Sequence, residues 1–126
     1  MSFATDLHYI MKNDSSLNTY CVGGINFENL PENWEIIKDW IIYSFNKASQ
    51  QNCMNSSEVF TTYNIVLKIV ATDTLKLETI NNYVVDYLNN KTYNGIQDIN
   101  FVSDIHTLDL DKNIYMNTLN FDAIYV

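Results

Sequence analysis

Between Ser57 and Tyr93 the hydrophobic pattern changes period once, and that change limits the fold more than any other feature of the chain. Val59, Thr61, Tyr63, Ile65, Leu67, Ile69 and Ala71 put an apolar or β-branched side chain at every second position, while Thr62, Asn64, Val66, Lys68 and Val70 between them are mixed. A period of two marks a long strand with one buried face. From Asp73 the spacing becomes three and four: Leu77, Ile80, Val84, Tyr87 and Leu88 form the stripe of an amphipathic helix. Thr72 or Asp73 can cap its start, and Asn94-Gly95 can end it through a left-handed residue. A strand leading straight into a helix implies a small α+β domain.

The flanking segments extend that frame. Ser2 to Asn13 reads as a helix, capped by Ser2, with Phe3, Leu7, Ile10 and Met11 on one face. Turn formers stop it at Asn13-Asp14-Ser15-Ser16, and Leu17 to Tyr20 holds one further turn. Cys21 to Phe27 is a short strand broken by Gly23-Gly24, read either as a bulge or close approach or as an ordinary turn. Asn29 to Asn33 is a loop in which Pro31 holds Leu30 extended. Ile36 to Phe45 is a strand with both faces apolar, since Ile41, Tyr43 and Phe45 alternate with Trp40 and Ile42. Polar, aperiodic Asn46 to Ser56 reads as a long hairpin loop, either mobile or a contact device. Ile99, Phe101 and Ile105 alternate with Asp98, Asn100 and Asp104 in a strand with one wet side, and a turn follows at Asp111-Lys112-Asn113. Leu119, Phe121, Ala123 and Tyr125 form a last strand. The order α-β-β-β-α-β-β predicts one α+β domain over 1–126: an antiparallel sheet of four to five strands with two helices packed on one face.

The chain has 126 residues, enough to remove roughly two-thirds of its unfolded surface from water. It carries seven Lys and Arg against fifteen Asp and Glu, a formal charge of −8. Sequence-specific or phosphate-based nucleic-acid binding needs clustered cations, and none cluster; an anionic membrane surface is disfavoured on the same ground. No apolar run approaches the ~20 residues of a membrane span, and Met1 to Asp6 has neither the basic nor the apolar region of a secretory leader. Cys21 and Cys53 are too few for a disulfide framework and are expected to be reduced structural thiols.

Chemistry-bearing constellations do not emerge. His8 and His106 lie far apart without an acidic or thiol partner at ligand spacing. Asp109-x-Asp111-x-Asn113 imitates the start of a calcium loop but has Ile114 where glycine is required and Asn120 where glutamate is required. Gly23-Gly24 lacks the residues of a phosphate loop, and neither cysteine has an evident histidine partner. No catalytic, cofactor or metal residue is assigned, and the chain is expected not to be an enzyme.

What remains is surface. Trp40, Ile42, Phe60, Val66, Val70, Val102 and Ile124 fall on positions that helices covering the other sheet face cannot reach. An apolar patch of that extent usually marks an interface, here expected to be with copies of the same chain. Leu30 and Pro31, in the loop before that strand, are counted with it.

The N-terminal helix with Thr5-Asp6-Leu7, the segment Val22-Gly23-Gly24-Ile25 with Phe27, Leu30-Pro31-Glu32, and Lys38-Asp39-Trp40-Ile41-Ile42-Tyr43-Ser44-Phe45 come first. A Tyr-bearing strand and Asp73 opening a helix follow them. In this order they resemble the tail-terminator or tail-completion proteins of tailed bacteriophages, small proteins of the head–tail connector. The resemblance spans nearly the whole chain in element order. It implies an antiparallel sheet with two helices, and a homo-oligomeric ring, sixfold or twelvefold, at the neck or tail terminus of a virion assembled in the host cytoplasm. It also implies portal, neck or tail proteins as neighbours, and a lumen through which DNA passes. An acidic ring wall would repel DNA, and an apolar face would supply the ring contact. Two features depart from common members, the asparagine bias and the 46–56 loop. A second reading, from charge alone, is a small acidic phage protein that binds a host factor.

Overall fold

A computed structural model describes residues 2–21, 24–28, 39–52, 59–109 and 114–126. Among the described residues, three helices and five strands follow one another as α1 (Phe3–Lys12), α2 (Ser15–Tyr20), β1 (Gly24–Phe27), β2 (Trp40–Asn52), β3 (Val59–Ala71), α3 (Thr74–Leu88), β4 (Ile96–Asp109) and β5 (Ile114–Tyr125). The strands form one sheet in the order β1-β2-β3-β5-β4. All neighbours are antiparallel except β1 and β2, which are parallel. The sheet is therefore mixed, whereas short connections predict an antiparallel one. Twelve residues separate Phe27 from Trp40, a length that parallel pairing requires and a tight hairpin does not.

Each helix starts where a small polar side chain offers an acceptor. Ser2 accepts from the Thr5 amide, Asp14 from Leu17 and Asp73 from Leu75. The helix stripes meet one face of the sheet. Phe3, Leu7, Ile10 and Met11 of α1, Leu17 of α2 and Leu77, Ile80, Val84 and Leu88 of α3 share one core with Ile41, Tyr43, Ile65, Leu67, Ile69, Leu119 and Phe121. Phe3 stacks on Tyr63 with ring centroids 4.0 Å apart and meets Phe45 and Tyr125 edge-on. Polar ties hold the helices to one another: the Tyr87 hydroxyl donates to the Ile10 carbonyl at 2.9 Å, and the Tyr83 hydroxyl to Asp14 Oδ2 at 2.7 Å. Asp6 is buried on the core side of α1, where it accepts from Asn94 Nδ2 at 3.2 Å and the Gly95 amide at 3.4 Å.

Three expectations are corrected. First, β2 continues to Asn52, so the segment predicted as a loop from Asn46 is strand for seven of its residues. Pairing with β3 supplies the ladder there, with a bulge between Lys47 and Ser49; backbone hydrogen bonds need no apolar side chains, which is why period-two reading misses the strand. Second, α3 ends at Leu88 with Asn89 as its cap, not at Asn94-Gly95, because Asn90 turns the chain at φ 65°. Asn94 is also left-handed, at φ 49°, within the turn that leads to β4. Third, β4 carries bulges between Ile96 and Asp98 and between Phe101 and Ser103. The second reverses the alternation. Ile99 stays in the core, but Ile105, expected inside with it, lies outward and 59% exposed.

Candidate interaction surfaces

The face of the sheet opposite the helices can be mapped row by row from the strand register. Trp40, Val70, Met116 and Thr107 share one level; Ile42, Lys68, Thr118 and Ile105 share the next. Ser44, Val66, Asn120 and Ser103 follow, then Asn46, Asn64, Asp122 and Asn100. Thr62, Ile124 and Asp98 lie beyond, and Phe60 beyond them. The face is thus apolar at one end and crossed in the middle by a belt of asparagine, serine and aspartate. Asn120 Nδ2 donates to Ser103 Oγ within that belt at 3.3 Å. A shallow depression of about 310 Å³ runs over it, lined by Asn46, Asn64, Val66, Val102, Ser103 and Asn120, among others.

The residues expected at an interface do not behave alike. Trp40 and Val70 are each only 5% exposed and form a small second core with Ile114, against which Met116 packs. Ile42, Phe60 and Val66 are half-buried, and Val102 and Ile124 are exposed. Leu30, Pro31 and Cys53 lie outside the described residues.

The sheet's edges are uneven. β1 covers β2 only from Trp40 to Tyr43, closing with the Glu28 amide donating to the Tyr43 carbonyl at 2.8 Å. At the other edge, the Asn90 amide donates to the Ile99 carbonyl at 2.6 Å and the Phe101 amide to Asn89 Oδ1 at 3.1 Å. Past Tyr43 on β2 and past Phe101 on β4, no described residue hydrogen-bonds to the outer side of either strand. Sequence periodicity carries no signal for such an edge.

On the helical side, α3 leaves the distal half of β4 uncovered. Two depressions there share Asn81 and Asp104, one lined also by Asp86 and Phe101 and the other by Glu78 and His106. Beside His106, buried Asn117 donates to Asn81 Oδ1 at 2.9 Å and meets His106 Nδ1 at 2.9 Å, joining α3, β5 and the edge strand β4. A separate depression between α2 and α3, about 360 Å³, is lined by Tyr20, Asp39, Leu75, Lys76 and Thr79. Asp39 is buried and accepts from the Thr72 amide at 3.4 Å. Beside it, burial and the Asp39 charge push the Cys21 thiol up to about 12, so this cysteine is a packed, protonated side chain rather than a nucleophile.

His8, whose Nδ1 is bonded to the Tyr43 hydroxyl, packs edge-on against Phe27. The two histidines therefore serve separate structural bonds. Among the described residues no group of three or more His, Cys, Asp or Glu is placed to hold a metal, and no helix is long and apolar enough to cross a membrane. Sequence reading missed buried Asp6, whose signal is an acid set between Phe3, Leu7 and Ile10 on the apolar stripe of α1; the Asn81–Asn117–His106 chain left no mark in the sequence.

No protein-family model matches the chain, and no curated protein matches it. Among solved structures it is similar to a chain of the virion of a native gene transfer agent particle, with a TM-score of 0.70 at 12% identity. The alignment covers 98% of this chain and 94% of that one. At that identity the shared property is the fold, over essentially the whole length of both chains.

Proposed function

We propose that this chain is a structural virion protein, forming a homo-oligomeric ring at the head–tail connector, neck or tail terminus of a phage-like particle. The supporting observation is the end-to-end fold likeness to a chain of a gene transfer agent virion. A charge of −8 suits a ring through which DNA slides, because like charge disfavours phosphate contacts. In this reading the chain works by assembly rather than catalysis, next to portal, neck or tail proteins, and it resides in the virion. Ile42, Phe60 and Val66, with Leu30 and Pro31, contribute to the contact between copies, while Trp40 and Val70 stiffen the sheet beneath it.

Mass measurement in solution together with negative-stain imaging tests the reading. A closed ring, alone or with neck or tail components, is expected; a monomer under both conditions contradicts it. The acidic charge also favours a second reading, a phage protein that binds a basic host factor. Its signature is a stable monomer or dimer that forms a stoichiometric complex with one basic protein.

A further inference from the structure

We infer that copies of this chain join by strand pairing, the outer edge of β4 in one copy against the outer edge of β2 in the next, with Lys47 opposite Asp104. The inference rests on the ring reading above and adds an edge contact to the face contact named there. Direction comes first. β2 and β4 run oppositely in the sheet, so copies set side by side in one orientation present antiparallel edges to each other.

Phase agrees as well. The Tyr43 carbonyl points outward to Glu28, so by alternation Phe45 and Lys47 also turn their backbone groups outward. On β4 the Phe101 amide points outward, and Phe101 lies opposite Phe121. Asp104 and His106 lie opposite Leu119 and Asn117, two and four residues along β5, and share that phase because the bulge restores it. Lys47 and Asp104 are both exposed, and both lie on the helical side of the sheet, opposite Tyr63 and Leu119.

Charge then selects the register. From Trp40 to Asn52, β2 has one lysine and no acid; from Ile96 to Asp109, β4 has three aspartates and no lysine or arginine. Registers that keep the faces matched differ by two residues. The one with Lys47 opposite Asp104 pairs the single cation with an acid. A slip one way sets Lys47 against His106, and a slip the other way against the bulge at Val102. Val102, 55% exposed, and Ile105, 59% exposed, lie along the same stretch of β4 and give the contact an apolar component.

The full chain and the variants Lys47→Asp, Asp104→Lys and the double reversal are compared by analytical ultracentrifugation, with circular dichroism to establish folding. Each single reversal is expected to weaken association at least about tenfold and the double to restore it. Ile105→Lys, an exposed substitution independent of the charge pair, is expected to weaken it as well. A wild-type chain monomeric at all concentrations overturns the ring reading together with this contact. A wild-type ring indifferent to all three substitutions, or a double reversal no better than the singles, overturns the contact alone.

Discussion

At the scale of single residues, burial decides what titrates and what breaks. Cys21 is pushed from 9.0 to about 12 by burial and then by Asp39, and Tyr43 and Tyr87 are raised from 10.0 to about 12, mainly by burial. Each keeps its proton in the folded chain at a pH where the unfolded chain releases it. Their contribution is therefore complete below about pH 9 and is lost as pH climbs towards 12. Melting followed by circular dichroism is expected to show a steep loss of stability across that window; a melting temperature that holds to its upper end contradicts the assignment. Val84 is fully buried between α3 and the sheet, so Val84→Asp strands a charge in the core. A loss above about 4 kcal/mol is expected, measured by denaturant unfolding. Trp40 belongs here too. As it packs with Val70 and Ile114 inside the subunit, Trp40→Ala is expected to cost the subunit about 3 kcal/mol before any question of assembly arises.

Among the elements, α3 gives the cleanest test. Asp73 accepts from the Leu75 amide at 2.7 Å, and Asp73→Ala is expected to destabilise the chain by about 1 kcal/mol in urea titration. That helix and β3 were legible because their burial is periodic, and periodicity is what a sequence displays. α1 was legible as a capped stripe, whereas β1 was legible only from Gly24 on, because Cys21, read as the start of the strand, caps α2. The far half of β2 was not. Its ladder is made by backbone groups, and asparagine, serine and glutamine are poor advertisements for a strand. The outward turn of Ile105 was hidden for another reason. One inserted residue at Val102 reverses the two faces without altering composition. The apolar face shows both limits together. Its residues were placed on the correct side of the sheet, but alternation could not separate self-covered Trp40 and Val70 from half-buried Ile42, Phe60 and Val66, nor foresee the polar belt across the middle.

For the molecule as a whole, the two half-edges that no described residue pairs with lie at opposite ends of the sheet. Ser44 shares its level with Ser103 inside one copy but meets Thr107 in the proposed contact, four residues along β4, or ~13 Å at strand rise. Successive copies are therefore staggered, as strands are in a barrel, and the contact closes into a ring only if the accompanying rotation fits. Phe60→Asp probes the face rather than the edge. Phe60 is half-buried near the tip of the β2–β3 ribbon, so the variant is expected to fold with little loss yet associate about tenfold more weakly, read by light scattering after gel filtration.

The clasp between Asp6 and the Asn94-Gly95 turn also bears on how the protein ages. In such a dipeptide the backbone nitrogen after asparagine attacks the side-chain carbonyl carbon and expels ammonia, and water then opens the resulting cyclic imide to a carboxylate. Here the Gly95 N–H donates to Asp6 Oδ2, and the Asn94 side-chain amide donates to Asp6 Oδ1. Native packing therefore slows the reaction. Once it occurs, it sets two carboxylates within hydrogen-bond distance, and one of them must take a proton or α1 must let go. Prolonged storage at mildly alkaline pH is thus expected to produce, by mass spectrometry, a deamidated fraction that melts earlier than fresh protein.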